Sequence, residues 1–396
     1  MASTCSEVEL LLLCARTRVD SEIAGRVETL LKEDIDWNYV LEIAGRHGVM
    51  PLLYWNLNAI CPEAVPKPIL DQLREYFQKN AQINMLMAGE LLKLLNLFKA
   101  NGISAVPYKG PALAATIYGN LALRPRFLDL DILVREQDVL KAKDLLLSQG
   151  YRPGYELTPR QEMVLLQASH EYPFVNDDNK VAVELHWKIT SRHFSFSLDH
   201  ERLWKRVEPR RLAGEEVLTF SPEDLLLILC VHGAKHCWRV LEWICGVAEL
   251  IRTNESLKWT QVIDQAKGTG SERMLFLGLF LASDLLGASL PGDVAQRVKA
   301  DLAVRALAVQ VREQLFRKAD SPPGPLDPKS FKKRLFHLRA RERLQDRVRH
   351  CMHLVVSPTP WDWGLSLPAA LFLFNYVLRP IRLIGKFAPD LLRRSP

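Results

Sequence analysis

The chain has no CxxC pair. Its seven cysteines, Cys5, Cys14, Cys61, Cys230, Cys237, Cys245 and Cys351, are odd in number and scattered through 396 residues. That pattern argues against a disulfide framework or a zinc ribbon and leads us to expect a reduced, cytoplasmic protein. No apolar run reaches the roughly 20 residues that a membrane-crossing helix requires. Positive charge is missing ahead of the first apolar stretch, where Glu7 and Glu9 stand instead, so a secretory signal is not expected. Aromatics are sparse in the most basic segment, where Phe331 and Phe336 are too few for a base-stacking platform.

What is present is an ordinary globular composition, 48% hydrophobic and 25% charged, long enough for two or three domains. The net charge of +6 is unevenly placed. Residues 329–350 hold nine Lys/Arg against two acids, and with the tail they leave the first 328 residues at −4. The basic stretch "KSFKKRLFHLRARERLQDRVRH" reads as a solvated helix face or as a surface for an anionic partner, nucleic acid or membrane. Beyond it "LPAALFLFNYVLRPIRLIGKF", with Trp361, Trp363 and Tyr376 nearby, suits either an interfacial anchor at the inner face of a membrane or a docked tail.

The periodicity predicts an α+β protein, a small mixed β-sheet core flanked by N- and C-terminal helical segments. Residues 1–100 are helical in pattern, 101–215 carry the strands, 216–320 are helical again, and 321–396 form a linker, a basic helix and the apolar/basic tail. Within the core, "ISAVPY" (103–108) and "FLDLDILV" (127–134) read as strands, "GPALAATIYG" as a turn and short helix, and 136–150 as a helix. "YPFVNDDNKVAVELHW" (172–187) is a hairpin pattern around a polar turn. The helical flanks echo each other, Trp37, Val40, Ala44 and Gly48 recurring in the spacing of Trp259, Val262, Ala266 and Gly270, which predicts a repeated packing helix.

The chemistry concentrates in "FLDLDILV". Alternation puts Asp129 and Asp131 on one face, about 6 to 7 Å apart along the strand. Two neighbouring carboxylates repel, so a salt-bridge partner or a metal ion is expected beside them. In "VAVELHW", Glu184 and His186 share a face. If the two strands adjoin, Asp129, Asp131 and Glu184 converge, and three acids in contact stay ionised only beside a cation. Mg²⁺, with its demand for hard oxygen ligands, fits such a set. Further along, "CVHGAKHC" places His232 and His236 four apart on one helical face. Without an intervening glutamate or a third ligand at recognisable spacing, plain helix packing is the favoured reading there, ahead of a phosphate contact from Lys235 and His236, with zinc last.

The run "YKGPALAATIYGNLALRPRFLDLDILV" with the later "VELHW" resembles the DNA polymerase β-like nucleotidyltransferases. "DWNYVLEIAGRHGVMPLL", "HGAKHCWRVLEW" and "LRPIRLI" bring the likeness closer to a bacterial group of uncharacterised nucleotidyltransferases. The resemblance implies transfer of a nucleoside monophosphate from an NTP, ATP among the candidates, to an acceptor with release of pyrophosphate. It implies Mg²⁺ or Mn²⁺ on Asp129, Asp131 and Glu184. It implies a triphosphate cradle of Lys109 and Gly110, assisted by Arg124, with His186 orienting substrate or metal. The acceptor class stays open among small molecule, glycan precursor, protein and RNA. Two departures stand out: Pro111 replaces the hydroxyl-bearing residue usual in that loop, and Gly246 stands where an aspartate is expected. They motivate the alternative of a nucleotide-binding or membrane-associated scaffold with impaired catalysis. The basic stretch motivates another, an enzyme that adds nucleotides to RNA ends.

Overall fold

In the computed structural model, the described residues are 5–317 and 331–356, apart from 191–193, 195 and 197. The proline-rich segment 321–328 and the tail, with its expected membrane contact, lie outside them. No helix among the described residues is long and apolar enough to cross a membrane.

Five helices lead in: α1 (Ser6–Cys14), α2 (Ser21–Leu30), α3 (Trp37–Arg46), α4 (Met50–Ile60) and the long α5 (Lys67–Ala100). Asp20 and Asp36 cap α2 and α3 by accepting from the backbone N–H of Ile23 and Tyr39, which satisfies otherwise orphaned donors. The mixed α/β core follows. Its strands are β1 (Ala105–Pro107), β2 (Asp129–Val134), β3 (Tyr151–Pro153), β4 (Glu171–Asn176) and β5 (Ala182–His186), and among them run α6 (Gly110–Leu113), α7 (Val139–Ser148) and α8 (Pro159–Ala168). The sheet order is β1-β2-β5-β4-β3. Only the β2–β5 pair is parallel. A short helix α9 (His200–Trp204) and a separate hairpin of β6 (Glu208–Leu212) and β7 (Glu215–Thr219) close this part.

Eight helices follow: α10 (Pro222–Lys235), α11 (Leu241–Thr253), α12 (Trp259–Thr269), α13 (Glu272–Leu286), α14 (Gly292–Ala300), α15 (Leu302–Leu315), α16 (Phe331–Arg339) and α17 (Leu344–Val356). Apolar side chains of α1–α4 and of α10–α15 belong to one continuous core, from Val8 and Leu10 through Leu226 to Leu315. The far half of α5 and the sheet form a second core around Phe98, Ile132, Phe174 and Leu185. The two halves of the sequence that echo each other, α3 and α12, both bury their matched Val and Ala, and both end at a glycine of positive φ, Gly48 at 69° and Gly270 at 68°.

The basic stretch is not a free solvated face. Phe336, Ala340 and Arg341 are buried, and Arg341 donates to the Phe194 carbonyl at 2.6 Å. Glu342 accepts from the first amides of α13, Glu272 and Arg273. These contacts fold residues 331–356 back onto the helical body and engage Arg341, one of the nine cations of the stretch.

One buried device sets the position of β2. Asn80 and Asn84 of α5 donate to the carbonyls of Leu121, Ala122 and Arg124, and Asn84 accepts from the Phe127 amide. Asparagine is rarely fully buried without such pairing, so this ladder ties the incoming loop to the long helix just before Asp129. The strand then begins two residues later than its alternation suggested. Leu128, expected on the apolar face, precedes it and is 70% exposed.

Candidate active site

Register decides the site. In the parallel pair, Asp131 lies opposite Glu184, Leu133 opposite His186 and Asp129 opposite Ala182. Residues two apart on a strand share a face, so Asp129, Asp131, Glu184 and His186 project together. Antiparallel β4 brings Glu171 opposite His186 from the other side. Asp129, Glu171, Glu184 and His186 line a cavity of about 230 Å³, with Asp131 buried behind them, and the further wall is the end of α10, through Ile228, His232, Lys235 and His236.

The acids are held by two cations. Lys109 Nζ donates to Asp131 Oδ1 at 2.6 Å, and His186 Nε2 stands 3.1 Å from the same oxygen and 3.3 Å from Glu184 Oε2. Burial would push the Asp131 carboxyl up, but Lys109 and His186 outweigh it and hold it well below the usual carboxylate range. Burial likewise opposes charge on His186 and Lys109, and hydrogen bonding to the acids overcomes it in both, so their basicity is raised. Asp129 has no such partner. Burial first, then the charges of Asp131 and Glu184, lift its carboxyl to about 6. Glu171 is also raised by burial; its Oε2 is 3.1 Å from His170 Nε2 and 3.7 Å from His186 Nδ1.

Ligand atoms of Asp131, Glu184 and His186 lie within 4.8 Å of one another, so this buried trio can hold a metal ion. The expected trio contained Asp129 in place of His186. Asp129 instead lines the cavity beside the cluster. The fit is chemically sound: two carboxylates supply hard oxygens, while the imidazole is equally at home on Mn²⁺ and other transition ions. Lys109 and His186 are the groups that hydrogen-bond the acids.

Gly110 occupies a left-handed turn with φ of 54°, and a Cβ there would approach the Asp129 carbonyl to 3.5 Å. That turn lets the chain pass from extended Lys109 directly into α6 above the acids, with Pro111 buried in the first turn.

Arg124 is placed elsewhere. Its guanidinium pairs with the buried Glu242 of α11 and rests over the Tyr118 ring, and it is not among the residues lining the cavity. A fork already engaged by a buried carboxylate is an internal tie between loop and helix, not an available phosphate ligand. Gly246 is buried in α11, its nearest outside neighbour being Leu229 at 4.0 Å from a built Cβ.

Sequence reading gave no role to Glu171 and favoured packing for His232, Lys235 and His236. The signal for Glu171 is alternation itself: Tyr172 and Phe174 are buried apolar residues of β4, which turns Glu171 to the opposite face. For α10 the signal is weaker. Ile228, His232, Lys235 and His236 fall at i, i+4, i+7 and i+8, one helical face, but only the fold says what that face meets.

Fold and site together define an α+β protein with a metal-capable carboxylate centre on adjacent parallel strands, beneath a glycine turn that carries a lysine. A model of the uncharacterised nucleotidyltransferase family matches residues 33–287, and the chain belongs to that family. No curated protein and no solved structure matches it.

Proposed function

We propose that the protein is a divalent-metal-dependent nucleotidyltransferase, moving a nucleoside monophosphate from an NTP to an acceptor hydroxyl. The observation that carries this reading is the register of β2 on β5, which sets Asp131 beside Glu184 with His186 one step behind. Asp131 and Glu184 are the principal metal ligands, His186 completes or orients the set, and Asp129 adds a carboxylate from the same face. When bound, Mg²⁺ or Mn²⁺ supplies charge neutralisation for the phosphate oxygens and acidifies the acceptor hydroxyl.

The chain's own groups do the rest. Lys109, which lines the cavity and donates to Asp131, would act as a point charge on the triphosphate, with the Gly110 turn setting its approach. Asp129, on the same face and lining the cavity, is placed to accept the acceptor's proton. The new acceptor O–P bond forms as the bond from the α-phosphorus to the bridging oxygen breaks, and pyrophosphate leaves. The half-enclosed cavity limits water as a competing acceptor.

The test is calorimetric NTP binding with and without Mg²⁺, alongside pyrophosphate release, for the wild type, Asp131→Asn and Glu184→Gln. Binding that needs Mg²⁺ and is lost in both variants supports the reading; binding indifferent to metal and to both substitutions defeats it.

A further inference from the structure

The two walls of the cavity are chemically unlike. The sheet side carries the acids that line the cavity, Asp129, Glu171 and Glu184, with Lys109 and His186 among them and Asp131 buried behind. The α10 wall carries none: Ile228, His232, Lys235 and His236 face the space from that side. Among the described residues, Lys235 makes no ion pair or hydrogen bond, although it is half-buried at the end of α10. Partly desolvating an ammonium is costly unless an anion compensates it, and among the described residues no acid lies within ion-pair distance, Glu171 acting on Lys235 only from farther off.

The surroundings reinforce the sign. Burial, then Lys235, Lys109, Arg239 and Lys333, press His236 down to about 3, so it stands there as a neutral imidazole in a field of cations. His232 is neutral for the same reasons, burial first. The two rings lie 4.6 Å apart and both abut Trp243 at 5.3 Å, which fixes them as a pair. A fixed pair of imidazole N–H donors beside an unpaired ammonium is a receptor for oxyanions.

We propose that this wall is the acceptor-side anion subsite, with Lys235, His232 and His236 receiving a phosphate or carboxylate group borne by the hydroxyl-bearing acceptor. The assignment rests on the nucleotidyl-transfer reading of the sheet wall. In an in-line displacement the attacking and leaving oxygens lie on opposite sides of the phosphorus. The leaving pyrophosphate belongs with Lys109 and Gly110 on the sheet side, which gives the opposite wall to the acceptor. Cationic acceptors such as polyamino sugars would meet Lys235 unshielded, so the class selected is an anionic one.

The test titrates inorganic phosphate into the full chain by calorimetry, with and without Mg²⁺ and a non-hydrolysable ATP analogue, in the wild type, Lys235→Gln, Lys235→Arg and His236→Gln. Expected is phosphate binding alongside the nucleotide, weakened at least tenfold by Lys235→Gln and less by His236→Gln. Lys235→Arg should retain it, and nucleotide affinity should stay within about threefold throughout. If Lys235→Gln weakens the nucleotide instead, Lys235 holds the donor's phosphates and the assignment falls. Phosphate binding that is absent, or indifferent to both Lys235 and His236, overturns it as well. Absence of nucleotide binding in the wild type would sink the parent reading and with it the acceptor role, while the nucleotide-free titration still decides whether this wall receives an oxyanion.

Discussion

Lys109 Nζ and His186 Nε2 meet the same oxygen of Asp131, at 2.6 and 3.1 Å. The carboxylate that register makes central to the site is thus shared between one cation from the loop before α6 and one from β5. A metal ion must compete with both. Lys109→Met is therefore expected to destabilise the metal-free protein by about 2 kcal/mol, the usual worth of a hydrogen bond to a charged group, because Asp131 keeps His186. Millimolar Mg²⁺ should restore most of that loss and bind more tightly than in the wild type. Thermal melts with chelator and with Mg²⁺ decide it; a variant that melts like the wild type under both conditions would count against the competition.

Asp129 makes the opposite contribution. Its folded carboxyl titrates near 6, above the ordinary 3.8, because burial, Asp131 and Glu184 disfavour its charge. The protonated form is the favoured one, so its contribution to stability is full below about pH 3.8 and is lost as pH rises through about 6. Asp129→Asn removes that dependence. Without metal, the variant should exceed the wild type by on the order of 2 kcal/mol at pH 7.5 and converge with it near pH 4. Urea unfolding across this range gives the comparison; equal stability at pH 7.5 would mean the repulsion is relieved in solution.

Arg124 separates the structural account from the resemblance. As a phosphate fork its loss would weaken NTP binding. As the partner of buried Glu242 its loss strands a carboxylate between loop and α11. Arg124→Gln is expected to lower stability by about 3 kcal/mol while leaving the nucleotide Kd within about twofold. A large change in Kd with unchanged stability would return Arg124 to the site.

Trp238 is wedged between two glycines. A Cβ at Gly233 would sit 2.5 Å from three atoms of its ring, and one at Gly278 would sit 2.5 Å from Cys230 Sγ and 3.1 Å from the ring. Alanine gains about 1 kcal/mol of helix propensity over glycine, yet this overlap forces the indole or the helix to move. Gly233→Ala and Gly278→Ala should each cost about 2 kcal/mol net in urea melts. Because α10 carries Lys235 and His236, the shift should also weaken phosphate binding. Neutral or stabilising substitutions would show that Trp238 relaxes freely.

Much of the core was legible because alternation is a local property. "FLDLDILV" and "VAVELHW" announce strands with acids on one face, and neither the short helix after Gly110 nor the 172–187 hairpin needed tertiary knowledge. The strand at 103–108 shortened to 105–107, and β2 began at Asp129, since strand ends depend on where partners stop. Two things lay out of reach. That a ligand atom of His186 falls within reach of those of Asp131 and Glu184 depends on side-chain reach within a register that sequence does not print. The role of α10 depends on its rotation about its own axis, and His232 with Lys235 reads equally well as packing until the sheet is set against it. Arg124 shows the converse: a cation near a catalytic motif in sequence is claimed by Glu242, 118 residues away.

The shared helical core has a consequence for how the chain comes into being. Leu10, Leu53 and Leu57 belong to a core that already includes Val106 and Leu133 of the sheet but draws much of its remaining membership from Leu225 onward. At about 5 to 20 residues per second, a ribosome needs on the order of ten seconds or more to supply those partners after the first helices emerge. The sheet, assembled from residues 105 to 186, is finished inside that interval. The sheet can therefore form while part of the apolar surface of the amino-terminal helices still waits for the carboxy-terminal half that seals it and that supplies the second wall of the cavity.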